Sequence, residues 1–232
     1  MDYNEFYNTY DKKWRSLCAE NKASELKFFL EKVKEIYNND LISIIDFGAG
    51  DGAVQSELKK TFDSDKYWAA EYSKKAVEML RATGNYQQVY QIDNENIREL
   101  NKNFNLVLAC HVLEHVYNPD TFLENIGSIS EYQLIEVPLE DTFFLNSNII
   151  DNGTGHVNFY NPNTLVNYLL TRDFIIISHK IYLPSLEIHR VEGPILGAIK
   201  WLIKRTLLSI APRIATMIFS YHMIVLTKKK ST

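Results

Sequence analysis

Leu41-Ile42-Ser43-Ile44-Ile45-Asp46-Phe47-Gly48-Ala49-Gly50-Asp51-Gly52 is the stretch that decides the fold. Its first seven residues are a short, β-branched, nearly continuous apolar run, the pattern of a strand buried on both faces of a parallel sheet. Alternate glycines follow at once, and then a helical stretch over 53–62. Glycines allow a tight turn and let backbone amides come close to a ligand. The helix amino terminus behind them favours an electron-rich group.

The alternation continues in both directions from this turn. Upstream, Leu26, Phe29, Leu30, Val33 and Ile36 recur at helical spacing, so 23–37 is predicted as an amphipathic helix. Tyr3, Phe6, Tyr7, Tyr10 and Trp14 give the first residues a similar spacing. Downstream, strands are predicted at 67–71, 88–92, 105–110 and 133–138, the last ended by Pro138. Helices are predicted at 74–82 and 120–129. Strands alternating with helices at this pitch predict βαβ units, a mostly parallel sheet and helices on both of its faces. A polar, turn-rich stretch over 139–160 breaks the rhythm, and a connection of that length is more often functional than idle. Helix 164–170, strand 174–181, helix 196–208 and strand 222–226 complete the chain.

Composition bounds the function. At 232 residues, 46% hydrophobic and 23% charged, the chain fits one generous globular domain. A net charge of −4 gives no bulk affinity for nucleic acid. Cys18 and Cys110 are too few for a disulfide framework or a Cys-rich zinc site. Met1-Asp2-Tyr3-Asn4-Glu5 is acidic and polar where a secretory signal is basic, so a cytoplasmic location is expected.

The turn implies a nucleotide-type cofactor. Gly48-Ala49-Gly50-Asp51-Gly52-Ala53 fits G-x-G-x-x-G/A, and Glu71 ends the next strand, where a carboxylate can accept both hydroxyl protons of a ribose.

Ile44 to Gly52 resembles motif I of the class I S-adenosylmethionine-dependent methyltransferases, with Asp46 in the acid position two residues before the first glycine. The resemblance makes Asp46, Gly48, Ala49, Gly50, Gly52, Glu71, Tyr72, Asp93 and Cys110 the expected cofactor-binding residues, Asp93 at the adenine edge. Leu106 to Pro119 and the stretch from Gly155 through Phe174 are similar to later segments of the family's small-molecule branch, with Asp173 in place of a usual glycine. The family fold implied is a Rossmann-like seven-stranded sheet whose final strand runs antiparallel. The whole chain then reads as one domain: an N-terminal helical cap over 1–39, a cofactor-binding core over 40–182 with its acceptor loop at 139–160, and a basic amphipathic helix and last strand over 183–232. No Lys or Arg is expected near the turn, and Asp46 and Asp51 would repel a pyrophosphate. Asp46 instead suits the ammonium group of S-adenosylmethionine. A nicotinamide-dependent oxidoreductase and a catalytically silent scaffold are the rival readings.

Methyl transfer to a hydroxyl needs a base, and histidine titrates in the right range. His111, His115 and His156 are the candidates, each near the carboxyl end of a strand or in the polar loop. A sugar or nucleotide-linked hydroxyl is the expected acceptor, with nitrogen methylation the alternative within the class. His111, Glu114 and His115 would share a helical face that can bind a metal. Some quinone-pathway methyltransferases with a similar segment use a divalent ion, but their pattern has an acid where this chain has His111, so no metal is expected.

The tail differs from the body. Eight Lys and Arg from Arg190 onward face only Glu192, so the acid excess lies earlier. Over 195–213 an apolar helical stripe is flanked by Lys200, Lys204 and Arg205. It can pack on the sheet, meet an anionic membrane surface, hold a phosphate-bearing substrate, or make a dimer contact.

Overall fold

The computed structural model describes residues 11–62, 66–92, 100, 102–145, 155–191 and 193–230. In chain order the elements are α1 (Lys12–Ile36), β1 (Ser43–Phe47), α2 (Ala53–Lys59), β2 (Lys66–Glu71), α3 (Lys74–Thr83), β3 (Gln88–Gln91), β4 (Phe104–Cys110), α4 (Pro119–Ile129), β5 (Ser130–Leu139), α5 (Pro162–Leu170), β6 (Phe174–Tyr182), α6 (Leu186–Arg190), α7 (Pro194–Ile210), α8 (Pro212–Ile218) and β7 (Tyr221–Lys229). The strands form one sheet in the order β3-β2-β1-β4-β5-β7-β6. The first five pair in parallel. The last strand, β7, runs antiparallel between β5 and β6, as the resemblance implies. The order reverses direction at β1, so the carboxyl ends of β1 and β4 flank the crevice where open α/β sheets bind ligands.

Each central strand divides its apolar residues between two cores, which explains the unbroken apolar runs. On one face Ile45, Phe47, Val107, Ala109, Ile135 and Val137 pack with Phe122, Leu123 and Ile126 of α4. On the other, Ile44, Leu106, Leu108 and Leu134 pack with Leu26, Phe29, Leu30 and Val33 of α1.

Several boundaries differ from the sequence reading. Helix α1 begins at Lys12, well before Ala23, because the Asp11 carboxylate caps it by accepting from the backbone amides of Lys13 and Trp14. The apolar stripe marks only the part of the helix that lies on the sheet. Pro138 does not end β5. The ladder to β4 finishes at Glu136, so a missing amide at 138 removes no pairing there, and Pro138 stands opposite His222 of β7. Strand β7 runs into the lysine run: Lys228 pairs with Glu131 at 2.7 Å, and the Lys229 ammonium donates to the Arg172 carbonyl at 2.6 Å. The short helices α6 and α8 carried no periodic signal. Residues 1–10, with their aromatic spacing, and residues 146–154, the middle of the acceptor loop, lie outside the described residues.

Helix α7 keeps Ile195, Leu196, Ile199, Leu202 and Ile203 in solvent, Leu207 and Leu208 near its end pack on the core, and its fully buried residue is Gly197. A Cβ there would come 2.0 Å from the His189 carbonyl oxygen, so glycine is what lets α7 cross α6 closely. Asp173 sits at φ +61°, the left-handed conformation for which glycine is the natural choice. Its main chain still accepts from Lys230 N–H at 2.8 Å.

Candidate active site

The turn after β1 is built on left-handed glycines, with φ of +70° at Gly48, +60° at Gly50 and +77° at Gly52. Gly48 N–H donates to the Ala70 carbonyl at 2.8 Å, which ties the turn to the end of β2. Glu71 completes the join: one carboxylate oxygen accepts from Gly50 N–H and the other from Ser73 N–H, each at 2.8 Å. Each oxygen keeps further acceptor capacity, which is what ribose hydroxyls require. Ala49 packs beneath the turn. Tyr72 follows with its ring in solvent. Asp93 lies outside the described residues.

Asp46, at the lip of the turn, is 6% exposed. Burial, then the neighbouring Glu71, pushes its carboxyl up to about 7, with Asp51 adding to the effect and Lys22 and Arg15 opposing it. A buried carboxyl held back from ionising is a ready partner for a ligand cation. The ammonium of S-adenosylmethionine supplies one, so the residues present fit this cofactor: Asp46 for the ammonium, the glycine turn for close backbone approach, and Glu71 for the ribose. One expectation needs correcting. A basic residue does reach the turn: Arg15 of α1 forks onto Asp51, with Nη2 3.0 Å from Oδ1 and Nε 3.2 Å from both oxygens. Asp51 also accepts from Ala53 N–H at 3.1 Å at the start of α2. Its charge is therefore spent on holding α1 against the turn.

Beyond Cys110, whose thiol burial pushes up, the chain turns sharply. His111 has φ +56°, uncommon for a side-chain-bearing residue. Its Nδ1 lies 2.9 Å from Glu114 and its Nε2 3.1 Å from His222 Nδ1 and 3.4 Å from Glu136. Burial and Lys22 disfavour its charged form, but Glu136 and Glu114 outweigh them and push it up to about 9. Glu136 is fully buried on β5. It accepts from the Tyr182 hydroxyl, lies 3.0 Å from His222 Nδ1, and faces the Lys22 ammonium at 3.0 Å. Burial opposes its ionisation, yet Lys22 and the histidines hold it well below the usual carboxylate range.

His115 and His156 form a second group. Their rings meet edge to face at 4.7 Å. His115 Nδ1 contacts the Gly155 carbonyl at 3.1 Å, and burial lowers its proton affinity. His156 Nδ1 lies 2.6 Å from Glu140, just past the end of β5. The loop is fastened here because Val157 N–H and Asn158 N–H both donate to the Glu114 carbonyl, at 2.8 and 3.0 Å. The Asn158 amide also reaches the carbonyls of Leu113 and Val116. Residues 113–115 form a turn, not a helix, so the helical face imagined for His111, Glu114 and His115 does not exist as such.

Sequence reading missed Lys22, Glu136, Glu140, Tyr182 and His222. Glu136 and His222 sit in strands that read as core, and only the pairing of β5 with β7 brings them to His111.

The profile of the methyltransferase domain family matches residues 11–179. This chain belongs to that family, and it is an S-adenosylmethionine-dependent methyltransferase. The nicotinamide alternative is thereby set aside. No curated protein sequence matches the chain. Among solved structures it is similar to coclaurine N-methyltransferase bound to N-methylheliamine and SAH, with 15% identity, 89% of this chain and 72% of that chain covered, and a TM-score of 0.62. It is similar also to the magnesium protoporphyrin IX methyltransferase of Synechocystis PCC 6803 with bound SAH, with 10% identity, coverage of 96% and 89%, and a TM-score of 0.59. An S-adenosylmethionine-dependent methyltransferase from Archaeoglobus fulgidus gives 18% identity, coverage of 91% and 94%, and a TM-score of 0.59. At these identities the likeness establishes the fold.

Proposed function

We propose that the protein methylates a hydroxyl of a small molecule, a sugar or nucleotide-linked sugar being the acceptor class, with His156 taking the hydroxyl proton. Bound S-adenosylmethionine supplies the electrophilic methyl group. The observation that carries the reading is the 2.6 Å contact between His156 Nδ1 and Glu140. A proton held in that contact leaves the acceptor lone pair on Nε2, and the carboxylate stabilises the imidazolium that forms. His115 packs on the ring and limits its rotation. His111 has both nitrogens turned to Glu114, His222 and Glu136 and is not given this role. The test is transfer of labelled methyl from S-adenosylmethionine to a panel of sugar nucleotides, free sugars, phenols and amines. With the accepted hydroxyl substrate, His156→Ala is expected to lower kcat by about 100- to 10,000-fold while S-adenosylhomocysteine still binds. An unchanged kcat removes His156 from the role, and methylation of amines alone replaces oxygen by nitrogen. Cofactor binding without turnover across the panel would favour a silent scaffold.

We also propose that the 195–213 face seats on an anionic membrane surface. Ile195 and Ile210 are 73% and 75% exposed, and Leu196, Ile199, Leu202 and Ile203 are exposed between them. Lys200, Lys204, Arg205 and Arg213 are interspersed with those apolar residues along the chain, a composition suited to an anionic headgroup layer. Phe143 N–H donates to the Met217 carbonyl at 2.9 Å, so the acceptor loop, which carries the exposed Phe143 and Phe144 rings, is tied to α8. Among the described residues no helix is long and apolar enough to cross a membrane. Co-sedimentation with phosphatidylglycerol-containing vesicles, weak on pure phosphatidylcholine and lost in Ile199→Glu, is the expected result. A stable dimer in sedimentation velocity that Ile199→Glu dissolves, with no vesicle binding, would assign the face to a second copy instead.

A further inference from the structure

We propose that His111, Glu136 and His222 form a binding site for a divalent metal ion, Zn²⁺ foremost, beside the cofactor turn. Three distances define the site. His111 Nε2 and His222 Nδ1 are 3.1 Å apart, His222 Nδ1 and Glu136 Oε1 3.0 Å, and His111 Nε2 and Glu136 Oε1 3.4 Å. Ligands about 2.0–2.1 Å from a tetrahedral zinc lie roughly 3.3–3.4 Å from one another, so the triangle is close to one face of such a tetrahedron.

Protons and a divalent cation are alternative occupants of this triangle. If His222 Nδ1 carries the proton, His111 Nε2 and Glu136 Oε1 confront each other as acceptors. If His111 Nε2 is protonated as well, both N–H groups converge on the one Oε1 of Glu136. The Tyr182 hydroxyl already donates to the same Oε1. A single cation at the centre makes all three edges favourable at once.

The surroundings are those of ligands held for a metal. His111 Nδ1 meets the buried Glu114 carboxylate at 2.9 Å, the carboxylate–imidazole support that fixes a ligand's tautomer. Lys22 holds the other oxygen of Glu136, at 3.0 Å, and leaves Oε1 to the triangle. The left-handed backbone at His111 turns its imidazole inward, a local strain of the kind that accompanies functional sites. Side-chain exposures of 28% for His111 and 24% for His222, against 0% for Glu136, leave the triangle open to solvent on the histidine side. That opening gives a fourth position for water or an acceptor oxygen. Two imidazoles and one carboxylate suit borderline divalent ions better than Mg²⁺ or Ca²⁺. The set shares only His111 with the His111, Glu114 and His115 face noted in the sequence.

The test is stoichiometric. Full-length protein is stripped with a chelator and titrated calorimetrically with Zn²⁺. Co²⁺ is titrated separately while visible absorption is recorded. One equivalent of Zn²⁺ is expected, with intense Co²⁺ d–d bands. His222→Gln should weaken Zn²⁺ binding by about 100-fold or more, and Glu114→Gln by about tenfold. His222→Cys, which restores a ligand, should recover binding in a protein shown by circular dichroism to be folded. Absence of stoichiometric Zn²⁺ binding by the folded wild type overturns the proposal, because a proton then occupies the triangle. Undiminished binding in His222→Gln overturns it too, by moving the ion elsewhere. The readout is metal content and not turnover, so failure of the methyl-transfer assignment would leave it interpretable.

Discussion

With Asp46 proposed as the partner of the cofactor ammonium, cofactor affinity is expected to depend on pH, and the size of the effect follows from its burial. In the unliganded protein its carboxyl is raised to about 7 by burial and then by Glu71, with Asp51 acting the same way and Lys22 and Arg15 the opposite. A ligand ammonium beside it favours the ionised form, so binding must expel a proton wherever the free group is still protonated. At pH 6 about ten protonated copies exist for each ionised one, and at pH 8 the ratio inverts. Affinity for S-adenosylhomocysteine should therefore rise about tenfold from pH 6 to pH 8, or about 1.4 kcal/mol. The ligand amine stays charged across that window. Calorimetric titrations in two buffers of different ionisation enthalpy measure both the affinity and the protons released. Nearly one proton is expected to leave at pH 6 and almost none at pH 8, and Asp46→Asn should flatten both trends. A wild-type affinity that is level between pH 6 and 8, with no proton release, would refute the assignment of Asp46 to the ammonium.

Three further substitutions probe the same frame. Glu71→Ala removes the acceptor for two backbone amides, and urea unfolding should show a loss of about 2–3 kcal/mol, with S-adenosylhomocysteine binding weakened at least about tenfold. Unaltered binding would exclude Glu71 as the ribose partner. Gly48→Ala places a Cβ 2.5 Å from Val112 Cγ2 at φ +70°, so a destabilisation of about 2–4 kcal/mol is expected in the same assay. A loss below 1 kcal/mol would mean that this turn yields easily. Asp173→Gly relieves a left-handed aspartate at φ +61° and should raise the melting temperature through about 0.5–1 kcal/mol of stabilisation, whereas a lower value would show that the aspartate side chain earns its place.

The sheet was legible because each strand is short, apolar and separated from the next by a helix. Ile44 and Ile45 face opposite cores, so neither face offers a polar residue to break the run. The glycine turn was legible because its backbone angles demand a particular residue at each alternate position. Legibility failed where chemistry is carried by ordinary-looking positions. Helix α1 shows its apolar stripe only from Ala23 on, yet the turns before it deliver Arg15 to Asp51 and Lys22 to Glu136. No local pattern encodes a contact spanning 36 residues in one case and more than a hundred in the other.

The histidines show the same division from the opposite side. His111, His115 and His156 stood out because a polar, titratable side chain at the carboxyl end of a strand is conspicuous. What each histidine can do, however, is set by partners the sequence leaves inconspicuous. Glu136 lies in a strand whose alternate residues Ile135 and Val137 belong to the core, and His222 lies at the start of the last strand. They become one cluster only because β7 inserts antiparallel between β5 and β6, which puts Pro138 opposite His222 and brings the imidazole to Glu136. Were β7 parallel, its amino-terminal end and His222 would lie at the far edge of the sheet from the cofactor turn. The antiparallel last strand thus does more than join β5 to β6: it carries the residue that completes the triangle with His111 and the buried Glu136.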